Sequence, residues 1–346
     1  MKYSVKIIAL VIVILIAAIG CDSQKSKQEA FPEFGTVQVG TIPVLGAAPT
    51  FLAFEKGYFA DEGLQVELQR FNSASYMIPL LATGDLDVGV GQPGTELFNA
   101  IHQGLDIKIA FPAGTQVKGY DSNPFLVRKD LIDSGEISEI ADLKGKTIAV
   151  NVERGLVEFI IVTILARGNL TLEDVNLVTM PFPEMNLAFA NKAIDAAVVP
   201  QPLAEAAVKA GNAVILIQVS DIFDRPTIGF WFFGKRLLEA NNQEIGIHFI
   251  KAYLRAAREL MNENGYSDEN VEILSEYTNV PTTTIKSGVK NYFDPNGEMS
   301  TSFIEEIMTY YVNQGYTEFN EPINIDDVFD FSYLNAAIEQ IGRYEE

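Results

Sequence analysis

Cysteine and histidine are scarce in this chain of 346 residues. Cys21 is the single cysteine, so no disulfide bond can form within the chain. The two histidines, His102 and His248, yield no Cys/His metal cluster, no HExxH zinc motif and no Ser/His/Asp arrangement. A phosphate-binding glycine loop is missing as well. We therefore predict no metal, no cofactor and no catalytic residues, although the many acidic residues leave catalysis by a carboxylate pair open.

Basic residues are also few, because 25 Lys and Arg face 46 Asp and Glu and give a formal net charge of −21. Residues 1–20 contain two lysines and no acid, so the rest of the chain carries −23. Nucleic acids are bound through clustered Lys and Arg side chains that neutralise phosphates. The composition therefore argues against a nucleic-acid partner, whereas an acidic surface by itself does not identify a ligand.

The N-terminus has the pattern of an export signal. Lys2 and Lys6 precede an apolar run over residues 7–19, and Gly20 and Cys21 follow. The run is too short to span a bilayer comfortably, as is typical of a signal peptide. We predict a lipoprotein signal peptide over residues 1–20.

The position of Cys21 predicts lipid attachment. It ends the stretch "AAIGC", which resembles a bacterial lipobox, with Ala18 where leucine is usual. The polar, small residues that follow predict a flexible tether over 21–35. The protein is then expected to be exported and anchored by its lipid to the outer face of the cytoplasmic membrane, in the periplasm or at the cell surface.

An internal repeat becomes visible when the chain is offset by 111 residues. The strand-like "TVQVG" at 36–40 matches "TIAVN" at 147–151, and "ADEGLQVEL" at 60–68 matches "TLEDVNLVT" at 171–179. Strands alternate with helical patterns in both copies, which predicts parallel sheets covered by helices. In such sheets, ligands bind beyond the carboxyl ends of the strands.

A further pair of matches, at an offset of 108 residues, supports the repeat. Asp87 and Asp195 each precede a short apolar run, and the runs end in Gln-Pro at Gln92 and Gln201. The extended segments 122–130 and 225–236 are predicted to be the two strands that cross between the lobes. The predicted division is lobe 1 over 36–126, lobe 2 over 127–226, and the second part of lobe 1 with the C-terminal helices over 227–346.

Four motifs together resemble one family. "FLAFEKGYFADEGLQVEL", "LLATGDLDVGV", "DLKGKTIAVN" and "AIDAAVVPQP" are similar to the substrate-binding proteins of nitrate, sulfonate, taurine and thiamine-precursor ABC importers, over residues 36–260. The resemblance implies an α/β periplasmic-binding-protein type II fold, with two doubly wound lobes, a two-strand hinge and C-terminal helices. It also implies a monomer that delivers a small-molecule solute to ABC permease and ATPase subunits.

The first of these motifs is expected to be scaffold. The resemblance implies that it ends the first helix and leads into the second strand. Gly57 and Gly63 would supply the turns, and Phe54, Tyr58 and Phe59 would pack the helix on the sheet. Its acidic residues are expected to be solvated.

The candidate ligand-binding residues lie in the loops that follow the predicted strands. Backbone N–H groups near Pro49 would face the cleft at the start of a helix, and the guanidinium of Arg154 would suit an anionic oxygen pair or pair with nearby glutamates instead. Trp231 and Tyr120 would stack on a flat ring or pack in the hinge. The full predicted set is Pro49, Thr50, Asn72, Ser73, Gln92, Tyr120, Asn151, Arg154, Gly155, Gln201 and Trp231.

These features predict a lipid-anchored solute-binding protein for a small organic ligand, a sulfonate or an aromatic or heterocyclic compound such as a thiamine or flavin precursor. Two alternatives stay open. One is an enzyme on the same fold, resembling a hydroxymethylpyrimidine synthase or a menaquinone-pathway lyase, although the synthases carry a cysteine-rich motif that this chain lacks. The other is a lipoprotein that senses a ligand for a receptor.

Overall fold

A computed structural model describes residues 34–345. The Cys21 lipidation site, the signal peptide and nearly all of the tether lie outside the described residues. No helix within 34–345 is long and apolar enough to cross a membrane.

Ten strands within these residues form two sheets of five strands each, here called sheet 1 and sheet 2. The strands are β1 Thr36–Thr41, β2 Gln65–Arg70, β3 Val88–Gly91, β4 Lys108–Thr115, β5 Phe125–Arg128, β6 Thr147–Val150, β7 Asn176–Thr179, β8 Ala196–Val198, β9 Ala213–Ile217 and β10 Thr227–Phe233. Sheet 1 has the order β2-β1-β3-β10-β4, and sheet 2 has the order β7-β6-β8-β5-β9. The α/β fold is therefore confirmed, and each half of the repeat forms its own sheet.

Both sheets are mixed rather than purely parallel. In sheet 1, β1 pairs in parallel with β2 and β3, whereas β10 is antiparallel to β3 and β4. In sheet 2, β6 pairs in parallel with β7 and β8, whereas β5 is antiparallel to β8 and β9. The prediction of parallel sheets is wrong for one strand of each sheet, β10 in sheet 1 and β5 in sheet 2. Each of these is the first strand after the chain has crossed from the other sheet.

The chain passes between the sheets twice. It leaves sheet 1 after β4 and enters sheet 2 at β5, and it returns after β9 to β10. The connecting stretches are 116–124 and 218–226, so the crossings lie mostly just before the segments predicted from sequence. Those segments instead form β5 and β10, because each has partners on both sides within a sheet.

Helices cover the sheets and form the C-terminal part of the chain. Within residues 34–345 the α-helices are α1 Ala48–Glu55, α2 Tyr58–Asp61, α3 Ile78–Thr83, α4 Thr95–His102, α5 Lys129–Asp133, α6 Leu156–Arg167, α7 Phe182–Ala190, α8 Leu203–Lys209, α9 Lys235–Leu238, α10 Gln243–Met261, α11 Asp268–Thr278, α12 Thr282–Ser287, α13 Ser302–Asn313, α14 Ile325–Val328 and α15 Ser332–Ile341. Short 3-10 helices lie at Leu45–Ala47, Ala74–Tyr76, Ile140–Leu143, Leu172–Asp174, Val219–Asp221 and Ala240–Asn242. The predicted amphipathic helix is α10, which buries its apolar face, including Phe249 and Leu254.

The motif at 51–71 forms α1, α2 and β2, as expected of scaffold. Gly57 and Gly63 have φ angles of 75° and 76°, the left-handed region that favours glycine. Phe59 is buried as predicted, but Phe54 is 37% exposed and does not pack the helix on the sheet.

The acidic residues of this motif are not simply solvated. Asp61 pairs with Arg255 at 2.7 Å, and Glu62 lies 2.7 Å from both His248 Nδ1 and Lys251 Nζ. All three partners are on α10, whose side chains reach the motif because the helix packs against α1 and α2. The motif is therefore tied to the C-terminal part of the chain by charge as well as by packing.

A carboxylate lies next to the antiparallel strand of each sheet, β10 in sheet 1 and β5 in sheet 2, which is called here the inserted strand. In sheet 1, Asp87 accepts hydrogen bonds from the Gln38 N–H (2.7 Å) and from Nε and a terminal nitrogen of Arg236 (2.5 and 2.6 Å). In sheet 2, Asp195 accepts from the Thr147 N–H (2.8 Å) and from the Arg128 guanidinium (2.8 Å). Hydrogen bonding to Asp87 raises the pKa of Arg236, so this arginine stays charged.

Hydrogen bonds join the halves at two places near the ends of the strands. The Leu45 N–H, after β1, donates to the Gln201 carbonyl, after β8, at 2.9 Å. On α13, the Tyr311 hydroxyl donates to the Pro93 carbonyl (3.3 Å) beside sheet 1, and the Tyr310 hydroxyl donates to Glu158 (3.2 Å) on α6. The structure is therefore closed across the ends of the two sheets.

We predict that Asp87→Ala lowers the free energy of unfolding by about 1–3 kcal/mol, because the Gln38 N–H and the partly exposed Arg236 lose a buried acceptor. Asp195→Ala is the matched change in the other sheet and should lower it by less, because Arg128 keeps a second ion pair with Asp130 at 2.6 Å. Urea unfolding of the purified variants measures both. An equal or larger loss for Asp195→Ala would contradict this account.

We also predict that Tyr310→Phe lowers the free energy of unfolding by about 1–3 kcal/mol, because the buried carboxylate of Glu158 loses a hydrogen-bond donor. Tyr76→Phe removes the same hydroxyl group from a side chain that is 65% exposed and serves as the control, with a change within about 0.5 kcal/mol. Urea unfolding measures the difference. Equal midpoints for the two variants would show that the bond to Glu158 does not stabilise the closed form.

Candidate ligand-binding cavity

A cavity lies where the strand ends of both sheets meet. The atom-free space between its walls and in its opening to solvent is about 780 Å³. Its walls come from the segments after β1, β2 and β3 of sheet 1 and after β6, β7 and β8 of sheet 2, from the ends of β3, β4 and β10, from the first crossing stretch and from Asn291. The cavity thus forms at the carboxyl ends of the parallel strands, which is where such folds bind ligands.

The lining is apolar with interspersed amides. Its apolar residues are Ile42, Val44, Ala74, Val90, Ala113, Val152, Leu156, Phe182, Pro200 and Ile228. Its polar residues are Ser75, Gln92, Glu96, Gln116, Ser122, Asn123, Asn151 and Asn291. Among the residues that the structure describes, no Lys, Arg or His lines it.

Six glycines complete the wall, and two of them shape it differently. A Cβ at Gly91 would lie 2.4 Å from the Ala74 Cβ, so the glycine allows β3 to approach the turn after β2 closely. At Gly114 the nearest atom to an added Cβ would be Asn291 Nδ2 at 3.8 Å, so a side chain there has room to extend. The others are Gly46, Gly94, Gly155 and Gly229.

A buried set of hydrogen bonds fixes the first crossing beside the cavity. The Gln116 amide nitrogen donates to Ser122 Oγ (2.7 Å), and its oxygen accepts from the backbone N–H groups of Ser122 (2.7 Å) and Asn123 (3.1 Å). The Asn123 amide also donates to Ser122 Oγ at 3.1 Å. The polar groups of this wall are therefore largely paired with one another and make the crossing rigid.

Glu96 and Asn291 are two polar residues of the lining with hydrogen-bonding capacity left for a bound molecule. Burial raises the pKa of Glu96, whereas hydrogen bonds from its own backbone N–H and from Ser75 act to lower it. Asn291 is 4% exposed, and its Oδ1 has no hydrogen-bond partner among the described residues. These two groups are free to interact with a bound molecule.

Three residues predicted from sequence line the cavity: Gln92, Asn151 and Gly155. Gln201 is 1% exposed and does not line it; its side-chain oxygen accepts from the Glu205 N–H at 3.2 Å. The preceding residue, Pro200, lines the wall instead. Whether the three lining residues bind a ligand stays a prediction.

The two positions at the start of α1 are buried outside the lining. Pro49 is in the first turn, as predicted, and Thr50 is fully buried with a hydroxyl that lacks a partner among the described residues. After β2, Asn72 is exposed and Ser73 is buried, with its hydroxyl 3.1 Å from that of Ser75. Neither of these two lines the cavity, but the neighbouring Ser75 does.

Arg154 does not lie in the cavity. Its side chain is exposed, and its guanidinium lies over the Tyr316 ring, 5.1 Å from the ring centre. Its φ angle of 56° turns the loop, and its backbone N–H donates to Glu158 at 2.8 Å. The turn therefore directs the only predicted ligand-binding cation away from the lining.

The predicted aromatic residues are also placed elsewhere. Trp231 is fully buried in a cluster with Phe111, Phe249 and Tyr253, because its position in β10 faces α10. Tyr120 is 36% exposed, and its ring lies edge-on to that of Tyr292. Stacking of a ligand on Trp231 is therefore ruled out in this conformation, and Phe182 supplies the aromatic ring of the lining.

Sequence reasoning missed several lining residues. Glu96 lies four residues after Gln92, so extending the loop after the third strand by one helical turn would have included it. Phe182 similarly begins the helix after β7. Asn291 is almost 60 residues beyond the last strand, and no sequence signal connects it with the cavity.

The sequence relatives are mostly named as binding proteins. The chain is 26% identical to a candidate binding protein of Brucella abortus (strain 2308) over 257 residues. The match covers 74% of this chain and 75% of the relative. Over 320 residues it is 25% identical to a candidate ABC transporter periplasmic binding protein of Brachyspira hyodysenteriae, with 89% of each chain covered. A 4-amino-5-hydroxymethyl-2-methylpyrimidine phosphate synthase of Aspergillus parasiticus is 34% identical over 112 residues, 32% of this chain and 30% of the enzyme.

Solved structures share the fold. The periplasmic nitrate-binding protein NrtA from Synechocystis PCC 6803 superposes with a TM-score of 0.78 at 17% identity, covering 90% of each chain. The alkanesulfonate-binding protein SsuA from Xanthomonas axonopodis pv. citri, bound to MOPS, has a TM-score of 0.68 at 16% identity and covers 85% of this chain and 98% of its own. The desulfurization enzyme DSZB has a TM-score of 0.61 at 16% identity, covering 89% of this chain and 99% of the enzyme.

At these identities the structures show the fold alone, and they confirm the α/β periplasmic-binding-protein fold that the resemblance implied. The sequence itself matches the NMT1-like family over residues 30–275, more than half of the chain. The chain therefore belongs to the NMT1-like family.

Proposed function

We propose that this protein is an extracytoplasmic solute-binding lipoprotein of an ABC importer, which binds a small organic ligand in the cavity between its two sheets. The observation that carries the proposal is the cavity itself, built from the strand ends of both sheets and lined by apolar side chains and amides. The names of the Brucella and Brachyspira relatives support a binding role.

The predicted lobes provide a mechanism for capture and release. Residues 36–126 and 227–346 would move as one body and residues 127–226 as the other, with the hinge in the two crossing stretches. The closed form is held by the Leu45–Gln201 hydrogen bond and by α13. A ligand that contacts both halves favours closure because it binds the closed state more tightly than the open one.

The remaining parts of the proposal concern partners and location. The closed protein would be recognised by the permease and its ATPase subunits. A lipid on Cys21 would hold the monomer at the outer face of the cytoplasmic membrane and raise its effective concentration near the permease.

An enzyme on the same fold is the second candidate, and two similarities favour it. The pyrimidine phosphate synthase matches about a third of this chain, and DSZB has the same fold. Glu96 with its neighbour Ser75 would be the acidic group available for proton transfer in the cavity. Chromatography of each bound compound after incubation with the protein distinguishes the two functions. Conversion into a product indicates an enzyme, and recovery of the unchanged compound indicates binding alone.

We predict that Gly114→Leu abolishes ligand binding, because its side chain extends into the cavity from a position where an added Cβ has room. A thermal-shift screen would test nitrate, sulfonates, aromatic carboxylates, flavins, thiamine precursors and amines. A ligand at 100 times its Kd stabilises the native protein by about 2.7 kcal/mol and raises its Tm. Gly114→Ala fits the available space and is the control that should retain binding. Hits that remain in Gly114→Leu would place binding outside this cavity.

We predict that Cys21→Ser prevents lipid attachment and moves the protein from the membrane fraction to the soluble fraction. Acyl chains contribute about 0.8 kcal/mol per buried CH2 group, so their loss removes the anchor. Labelling cells with a radioactive fatty acid and fractionating them measures both effects. Ser23→Ala, two residues further on, is the control. Unchanged labelling of Cys21→Ser would disprove the lipoprotein part of the proposal.

A further inference from the structure

Glu96 is the one charged side chain that lines the cavity within residues 34–345. It is the second residue of α4, and its carboxylate folds back over Gly94. A Cβ at position 94 would lie 2.3 Å from Oε2 and 2.6 Å from Oε1 of Glu96. The absence of a side chain at Gly94 therefore creates the space in which the carboxylate lies beside the cavity.

Asn291 adds a second hydrogen-bond acceptor from a different part of the chain. Its side chain is 4% exposed and lines the cavity, and its Oδ1 has no partner among the described residues. An unpaired buried amide oxygen is unfavourable, and the great majority of such atoms in native proteins are hydrogen-bonded. A ligand that donates a hydrogen bond would satisfy this atom.

The charge of the lining is unfavourable for anions. An anion would meet the Glu96 carboxylate, and among the described residues no Lys, Arg or His of the lining compensates it, because Arg154 points away. A cation would instead form a charge-assisted hydrogen bond with the carboxylate. Burial raises the pKa of Glu96, and a bound cation would act in the opposite direction by stabilising the ionised form.

We propose, on the basis of the binding function proposed above, that the cavity selects an organic ligand with a protonated nitrogen group, an ammonium or amidinium ion on an apolar body. Glu96 binds the charged group, and Asn291 accepts a further hydrogen bond. The apolar residues of the wall contact the body of the ligand. Nitrate and sulfonates, which the structural neighbours are named for, are excluded by the same carboxylate.

The test is a set of matched compounds measured against the purified protein at pH 7. Phenyl and cyclohexyl compounds would each carry an amidinium or ammonium group, a neutral carboxamide, or a carboxylate or sulfonate. Thermal shift ranks them, and calorimetry gives the Kd. We expect cationic members to raise the Tm, and anionic members of the same shape to leave it unchanged.

Variants at the carboxylate separate charge recognition from a structural role. Glu96→Gln should weaken binding of the cationic members about 10- to 100-fold and leave neutral members that bind unaffected. Gly94→Ala keeps the charge but displaces it, and should also weaken cation binding. Glu184→Gln makes the same change in the exposed first turn of α7 and is the matched control.

The outcomes distinguish this inference from the proposed function. If no cationic member raises the Tm, or if cations bind Glu96→Gln as tightly as the unchanged protein, Glu96 only caps α4 and the inference is wrong. Anionic hits that Gly114→Leu abolishes, or neutral hits that bind as tightly as their cationic counterparts, would overturn the charge assignment and leave the cavity as the binding site. Hits of any charge that persist in Gly114→Leu would overturn the proposed function itself.

Discussion

The pairing of an aspartate with an arginine at one end of each sheet is the interaction on which the architecture depends. Asp87 and Asp195 each follow a helix and accept a backbone N–H from the strand beside them. Each then binds an arginine that lies in or just after the antiparallel strand, Arg128 at the end of β5 or Arg236 in α9, which follows β10. A carboxylate with several donors is a strong, directional contact, and a buried one that lost its partner would be very unfavourable. The pairs therefore secure the inserted strand in each sheet.

This insertion has a geometric consequence for the cavity. The chain crosses once between β4 of sheet 1 and β5 of sheet 2, and once between β9 of sheet 2 and β10 of sheet 1. The carboxyl ends of the parallel strands of both sheets meet beside these crossings. The loops at those ends are free of sheet hydrogen bonds, so their amides and glycines are available to line a pocket. The Gln116, Ser122 and Asn123 hydrogen bonds hold one crossing in place at its wall.

The charge of the cavity follows from local backbone conformation as much as from composition. The positive φ of Arg154 turns its side chain towards Tyr316, whereas the missing side chain of Gly94 leaves space for the Glu96 carboxylate. The fold is shared with proteins named for nitrate and alkanesulfonate binding, yet the polar part of the lining that residues 34–345 form is one acid with amides and two serines. A common fold thus carries cavities of different chemistry, since side chains in the loops and not the sheets decide what is bound.

The sequence by itself determined the α/β class, the repeated unit and its strands, the glycine turns at Gly57 and Gly63, and the amphipathic α10. These features depend on periodicity and on local backbone preference, which neighbouring residues encode. It also predicted three residues that line the cavity, Gln92, Asn151 and Gly155, because each follows a recognisable strand. Only the tertiary structure decided that Trp231 is buried, that Arg154 points outwards and that Asn291 reaches the cavity. Those outcomes depend on which elements pack together over long sequence separations, and no local pattern records that information.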